Sequence, residues 1–449
     1  MRYKDSIIYL ESFWKFGIKL GLARIEHLLD LLDNPHKKFK SVHVAGTNGK
    51  GSVCVLTASV LKKAGYRTGL YTSPHLKDYT ERIKINGKDI SREKFARLIT
   101  KVREVIEKQY TLKELPTEFE LLTAAAFLSF AEEEVDIAVI ETGLGGRLDS
   151  TNVIEPLACA ITNVNFDHCS VLGKTLSSIA KEKAGIIKRG VPVVTACDKP
   201  SALKVIRTKC KKQRSMLITC AGKGADTTVE RLWNSEKGQL INISSKDFNI
   251  RELYLPFFGS HQTLNAAVAL ALLLELRNFS ASRPPRKRSV AGAATLQRKK
   301  FHISEKAFRK GFASVRWPAR FQVIKTNPFV VLDGAHNPSG VKALFKELSG
   351  LKKRKLIAVV GILKDKDFSN MIKTISGSAD LVIAVMPDNP RACPAVVIAG
   401  EARKHGVAAV VAASPKDGLK RSLKLASALD AICVCGSLFT CADILKCHI

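Results

Sequence analysis

The twelve residues SVHVAGTNGKGS, Ser41 to Ser52, constrain this chain more than any other stretch. Val42 to Ala45 predict a short buried strand, apolar and β-branched with polar neighbours. Gly46, Thr47, Asn48 and Gly49 form a tight turn, and Gly51 to Leu61 predict a helix closing at Gly65. Strand, glycine turn and helix N-terminus aim several backbone N–H groups and the positive end of a helix dipole at one point, which is a phosphate site. Lys50 adds a charge that can reach the outer phosphates of a nucleotide, and the Ser52 hydroxyl is placed for Mg²⁺. The usual pattern G-x-x-x-x-G-K-[ST] is broken twice: Val44 replaces its first glycine and Gly51 separates lysine from serine.

The 449 residues are enough for two or three domains, each with its own core. A hydrophobic fraction of 46% with 25% charged residues is that of a soluble protein. No apolar run reaches the ~18–20 residues that span a bilayer, and the start, MRYKDSIIYLESFW, is too polar for a signal peptide. The cytoplasm is the expected compartment. Eleven scattered cysteines without a CxxC pair predict buried reduced thiols; Cys433 and Cys435, two apart, should share one strand face. Seventy-two basic against 41 acidic residues leave a net charge of +31, a field that attracts phosphates and polyanions. The basic residues are dispersed, and no specific nucleic-acid motif accompanies them.

Alternating signals predict an α/β fold of two domains: an N-terminal doubly wound, mostly parallel sheet carrying the phosphate loop, and a smaller C-terminal Rossmann-like α/β domain. Ile25, Leu28, Leu29 and Leu32 follow helical spacing. Thr68 to Thr72 predict a strand ending in TSPHL, which brings Ser73 and His75 to the carboxyl edge of the sheet. Asn86-Gly87 predict a hairpin turn, and Ser91 caps a helix to about Lys108. An amphipathic helix is expected from Thr117. The strand Val135 to Ile140 ends at Glu141 before the glycine-rich ETGLGGRLDSTN, where a metal-binding acid is expected. LACAITNVN predicts the next strand, running into Asp167-His168. Residues 200 to 256 carry weaker signals: a helix and several short strands. A long Ala/Leu helix starts near Gln262. Asn278 to Lys300, with seven Lys/Arg, no acid and Pro284-Pro285, reads as a solvated insertion. The expected division is 1–278 for the ATP-binding domain, 279–300 for the insertion, 301–320 for a linker and 321–449 for the C-terminal domain.

GTNGKGS resembles the loop of the ATP-dependent amide ligases that include the Mur ligases and the folylpolyglutamate synthases; the glycine after the lysine is the folate enzymes' version. HVAGTNGKGS, TSPHL with ERIKING, TEFELLTAAAF, ETGLGGRLDSTNV, ITNVNFDH, EKAGIIK, GSHQTLNAA, WPAR, LDGAHNP and GSLF follow that family's order along essentially the whole chain. The resemblance implies a ligase that phosphorylates a carboxylate with ATP and passes the acyl group to the amine of L-glutamate, on dihydropteroate, (tetrahydro)folate or both. It implies phosphate contacts from Gly46, Thr47, Asn48, Gly49, Lys50, Gly51 and Ser52, with base and sugar held by Asn265, Arg320 and Asp333. It implies Mg²⁺ on Ser73, Glu141 and His168, and a CO₂-derived carbamate on Lys183. The pterin would rest on Thr117, Glu118, Phe119, Glu120, Leu148, Asp149 and Ser150. Lys50, Lys183 and His336 are the candidate catalytic residues, with His336 and Asn337 near phosphoryl transfer. On the residues alone, His168 reads equally as a buried structural histidine, Lys183 as a surface lysine and His336 as a cap of the helix at Pro338.

Three departures from the family pattern stand out, the largest being the basic tract between Asn265 and Arg320, an interval that the family usually crosses with far fewer residues. Ala319 replaces the glycine of WPGR, and Glu118 replaces a commoner Phe or Tyr. Small-molecule substrates, a monomer, and no membrane or specific nucleic-acid partner are expected. The alternatives are a Mur-type ligase acting on a nucleotide-linked muramyl peptide and, further off, a phosphate-loop nucleic-acid-binding protein. Deleting Ser280 to Gln297 is expected to leave turnover nearly unchanged; a large loss would give the basic tract a role.

Overall fold

The structure is a computed structural model that describes residues 1–17, 19–109, 115–235, 237–278 and 301–446. The basic tract expected as an insertion falls, from residue 279 on, outside the described residues. The N-terminal body is built on an eight-stranded sheet. Its order is Lys88–Asp89, Ile83–Ile85, Thr68–Tyr71, Ile137–Glu141, Lys40–Ala45, Ala158–Ile161, Val193–Thr195, Leu217–Thr219. The last six are parallel; the first two fold back antiparallel through Asn86 and Gly87, both at positive φ as a two-residue hairpin demands. The central parallel strands are buried along almost their whole length because helices cover both faces. Val44 pairs with Glu141 and Ala45 with Ile161, so the loops after three strands leave the sheet side by side at one carboxyl edge.

Helix Lys50–Lys63 follows the phosphate loop and is buried on most sides between the sheet and helices Ser260–Arg277 and Glu305–Ala313. Phe308 and Phe312 of the last helix belong fully to this core. The stretch expected as a linker is therefore part of the N-terminal body up to Val315. The helix expected from Thr117 runs Glu118–Glu132 with Thr117 as its N-cap, and it is not amphipathic: Glu120 to Phe127 are all buried between the sheet and neighbouring helices. Residues 200 to 256 hold more strand than their signal suggested. Thr227–Ser235, Gly238–Ser245 and Phe248–Leu255 form a separate antiparallel sheet, whose exposed edge strand carries Glu230 and Arg231 and so lacks a clean alternation.

The C-terminal body has a six-stranded sheet: Gln322–Thr326, Phe329–Leu332, Ala431–Cys435, Leu356–Val360, Leu381–Ala384, Ala408–Val411, parallel except for the first. Its two faces are separate apolar clusters, and Cys433 and Cys435 lie in the same one. Among the described residues the ten cysteines are free and nine are buried. Among them, too, no helix is long and apolar enough to cross a membrane.

Candidate active site at the domain cleft

The phosphate loop is held by the neighbouring strand. Asn163 accepts the Asn48 N–H at 3.0 Å and donates to the Asn48 carbonyl at 3.0 Å, while Thr162 donates to the same carbonyl at 2.6 Å. Thr47 Oγ1 accepts the Asn165 N–H at 3.0 Å. Lys50 Nζ folds back onto the carbonyls of Gly46 (3.2 Å) and Thr47 (3.4 Å), a resting position for a side chain meant to reach out. Gly49 sits at φ +83° with a virtual Cβ 2.3 Å from Asn265 Oδ1, so no other residue fits there. The inserted Gly51 has its own reason: a Cβ would lie 2.9 Å from Cζ2 of Trp317, whose indole packs on the first turn of the helix. Ser52 Oγ is buried and, among the described residues, has no hydrogen-bond partner.

Glu141 is buried at the end of its strand and accepts the Ser73 N–H at 3.2 Å. Burial raises its carboxyl above the ordinary value, with Lys50 the main opposing charge. Lys183 is not at the surface: it is 3% exposed, and among the described residues its ammonium meets no hydrogen-bond or ion-pair partner. Burial, then the charge of Lys50, pushes it down to about 7.

The C-terminal body closes on the loop directly. Asn48 and Asn337 exchange amide hydrogen bonds at 3.2 and 2.9 Å, and Asn48 also donates to Ser339 at 3.0 Å. Asn337 donates further to Asp167 at 3.0 Å, while its Oδ1 caps helix Pro338–Ser349 through the Gly340 N–H. The cap is thus Asn337 and not His336. His336 Nδ1 donates to the Gly334 carbonyl at 2.9 Å and its Nε2 lies 3.6 Å from Asp167. Lys366 pairs with Asp167 at 2.8 Å, 7% exposed, and reaches His168 Nε2 at 3.0 Å. Burial alone would raise the Asp167 carboxyl, but the His336 hydrogen bond and the Lys366 charge outweigh it and hold it well below the carboxylate range. Burial keeps His168 neutral, pushed down to about 4. Asp167 was read only as the neighbour of His168, and Lys366 was missed. Its signal was available: GILKDKD follows a buried parallel strand, at the carboxyl edge of the second sheet.

Arg320 and Asp333 meet in one turn. Asp333 accepts the N–H groups of Phe321 and Ala335, both at 2.8 Å, and Gly334 packs against the Arg320 guanidinium. Ala319 is fully buried at φ +56°, the conformation that the missing glycine would favour. Asn265, beside Gly49, donates to Gln262 Oε1 at 3.0 Å.

The expected pterin residues gather around Tyr71, Tyr79 and Gly143. Phe119 stacks on Tyr71 and packs on Gly143. Glu118 accepts the Tyr79 hydroxyl at 3.0 Å. Two of the expected contacts are otherwise engaged. Glu120 closes the capping box with Thr117 and pairs with Arg24 at 3.1 Å. Asp149, whose burial raises its carboxyl, accepts the Leu144 and Thr151 N–H groups and the Thr151 hydroxyl. Both carboxylates hold the walls in place. Leu148 is half-buried and Ser150 buried beside them.

Two family models match the chain: Mur ligase middle domain over residues 44–273, and Mur ligase, glutamate ligase domain, over residues 319–438. The dihydrofolate synthase/folylpolyglutamate synthase of Bacillus subtilis is 39% identical over 396 residues, 87% of this chain and 86% of that protein. A Mycobacterium tuberculosis folylpolyglutamate synthase complexed with ADP and AMPPCP has a TM-score of 0.87 at 29% identity, over 99% of this chain and 98% of that one. Escherichia coli FolC in complex with DHPP and ADP has a TM-score of 0.85 at 28% identity, over 99% and 97%. A phosphate loop met across a cleft by a glutamate-ligase domain, on a chain this similar throughout, belongs to the dihydrofolate synthase/folylpolyglutamate synthase family of the Mur ligase superfamily, and the protein is an ATP-dependent ligase.

Proposed function

We propose that the protein joins L-glutamate to dihydropteroate and to reduced folates, forming an amide and releasing ADP and phosphate. The carrying observation is the bonding across the cleft of Asn48 to Asn337 and of Asp167 to Asn337 and Lys366, with Asn48 and Asp167 on the N-terminal side and Asn337 and Lys366 on the C-terminal side. The Bacillus subtilis relative is named for both reactions, which supports assigning both. Residues 1–278 together with 301–315 act as the ATP-binding body, and residues 321–446 as the glutamate-ligase domain.

A carboxylate has no leaving group worth the name, so it is first phosphorylated. Thr47 to Ser52 hold the triphosphate, and Lys50 swings from its backbone carbonyls to the transferred phosphoryl as charge builds there. Asn265, Arg320 and Asp333 hold the base and sugar. The donor set suits Mg²⁺: the Ser52 hydroxyl is buried without a partner and Glu141 is a buried carboxylate with one backbone donor. Ser52, Glu141, Ser73 and His168 would hold the ion, which when bound neutralises the phosphoryl oxygens. Lys183 is suited to a carbamate because burial lowers its amine to about 7, so that the neutral form is available near neutral pH to attack CO₂, with loss of a proton. The modification would place an anion near the charge of Lys50, where among the described residues the amine has no hydrogen-bond partner. The incoming glutamate then lies against the C-terminal wall, a carboxylate on Lys366 and its amine toward Asp167 and His336.

Phosphate release from ATP with Mg²⁺ and L-glutamate, measured separately with 7,8-dihydropteroate and tetrahydrofolate, is the test. Release with both is expected. Release with neither, by a folded preparation that binds ATP, would end this reading.

A further inference from the structure

We propose that Glu347 is a positioning residue for domain closure: from the C-terminal body it caps helix Ser260–Arg277 of the N-terminal body, which makes helix Pro338–Ser349 a strut fixed at both ends. The first four N–H groups of a helix have no partner within it, and they carry the positive end of its dipole. Helix Ser260–Arg277 begins after Gly259, which has no side chain to cap it. The cap comes from 87 residues away. Glu347 Oε1 accepts the Ser260 N–H at 2.8 Å and the Ser260 hydroxyl at 2.6 Å. Its other oxygen accepts from Arg231 Nη1 at 3.3 Å, and the side chain is buried. Burial by itself would raise this carboxyl, but the Ser260 bonds and the Arg231 charge outweigh it and hold it below the ordinary value.

The other end of the strut meets the phosphate loop. Asn337, the N-cap of helix Pro338–Ser349, bonds Asn48 and Asp167. The helical rise of 1.5 Å per residue puts about 15 Å between Asn337 and Glu347. A single contact would let the two bodies pivot about it; two contacts so far apart fix their angle. The junction is braced around them. Phe258 stacks on Phe321 with ring centroids 4.2 Å apart, and Gln239 donates to the Gly259 carbonyl at 3.1 Å. A Cβ at Gly259 would lie 3.3 Å from Glu347 Cγ, so the capping side chain rests on bare backbone. Arg231 and Gln239 both come from the small antiparallel sheet, which thereby gains a task. Helix Ser260–Arg277 also carries Asn265 against Gly49. Glu347 therefore sets how the phosphate loop faces the wall from which Lys366 reaches Asp167, and it acts through position alone.

The test uses the full-length protein, and only its kinetic arm rests on the folate reading above. In hydrogen exchange without ligands, Glu347→Ala should speed exchange by about tenfold in the first turn of helix Ser260–Arg277 and, at the far end of the strut, around Asn337. Its kcat with 7,8-dihydropteroate should fall by about tenfold, because small misplacements of reacting groups are costly. The KM for dihydropteroate, whose expected contacts all lie in the N-terminal body, should stay within about twofold. Glu347→Gln keeps an acceptor for Ser260 and should recover most of both losses. A loss of stability alone would leave kcat per active site unchanged. Faster exchange confined to the Ser260 end, a kcat within about twofold of wild type, or a Gln variant as impaired as the Ala variant would overturn the proposal and leave the folate reading intact. If Glu347→Ala does not fold, Ser260→Ala decides. It removes the hydroxyl bond alone and should speed exchange around Asn337 by about threefold; no change there would equally overturn the proposal. A wild type that turns over neither dihydropteroate nor tetrahydrofolate would end the folate reading, and the exchange rates would still judge the strut.

Discussion

The side-chain amides of Asn48 and Asn337, 289 residues apart, exchange hydrogen bonds across the domain cleft. The phosphate loop therefore feels the position of the C-terminal domain without an intervening element. Asn337→Asp keeps the oxygen that caps helix Pro338–Ser349 but sets a second carboxylate against Asp167. Melting temperature should fall, and kcat/KM for ATP should fall by about tenfold or more, because like charges at contact cost several kcal/mol. Asn337→Ala should instead lose the cap and about 1 kcal/mol of stability in denaturant titrations.

Gly51 and Trp317 form a second cross-link. Gly51→Ala places a methyl 2.9 Å from the indole, and overpacking of this kind costs about 1–3 kcal/mol. In a double-mutant cycle, Trp317→Ala should relieve most of that penalty. Additive losses would show that the methyl is rejected by something other than the indole.

At Ala319 two effects oppose one another. Glycine would relieve the left-handed backbone but give up a buried methyl and unfolded-state stiffness, so Ala319→Gly should leave stability within about 1 kcal/mol. Ala319→Val, β-branched at φ +56°, should lose more than about 2 kcal/mol. Chemical denaturation of the two variants separates backbone strain from packing.

Lys183 offers a chemical prediction. After CO₂ is stripped from the enzyme, activity should fall and recover with bicarbonate, and ¹³C-bicarbonate should give a carbamate resonance that is absent from Lys183→Arg. An active enzyme with no such resonance would leave Lys183 unmodified, its lowered basicity serving some other end.

The acid limb of stability should carry a histidine signature. Burial pushes His43 down to about 3, His75 to about 3 and His36 to about 4, against about 6.5 unfolded. Below pH 6.5 the unfolded chain takes up protons that the native state refuses, so stability falls as pH drops from 6.5 toward 4. Thr151 donates to Asp149, so His43 Nε2 must be the donor to Thr151 at 2.7 Å; His43→Gln preserves that donor and cannot titrate. Its stability slope over this window should be shallower by about 1.4 kcal/mol per pH unit. An unchanged slope would mean that His43 is not neutral in the native state.

What could be read from the residues was local. A glycine loop between a strand and a helix, an acid ending a buried strand and an Asn-Gly hairpin are each specified by backbone geometry within a dozen residues. They appear where expected: Gly49 at φ +83°, Glu141 at the strand end, Asn86 and Gly87 at the turn. The family motifs extended this to Lys183, His168 and His336, whose own spacing was ambiguous. Tertiary structure decided the rest. The burial of Lys183, the indole over Gly51 and the pairing of Lys366 with Asp167 depend on segments that meet only when the chain folds, and no local propensity encodes them. The same holds for Glu120, which meets Arg24 from 96 residues away. Residue type sets what chemistry is available; the partners supplied by distant segments determine which groups remain free to perform it.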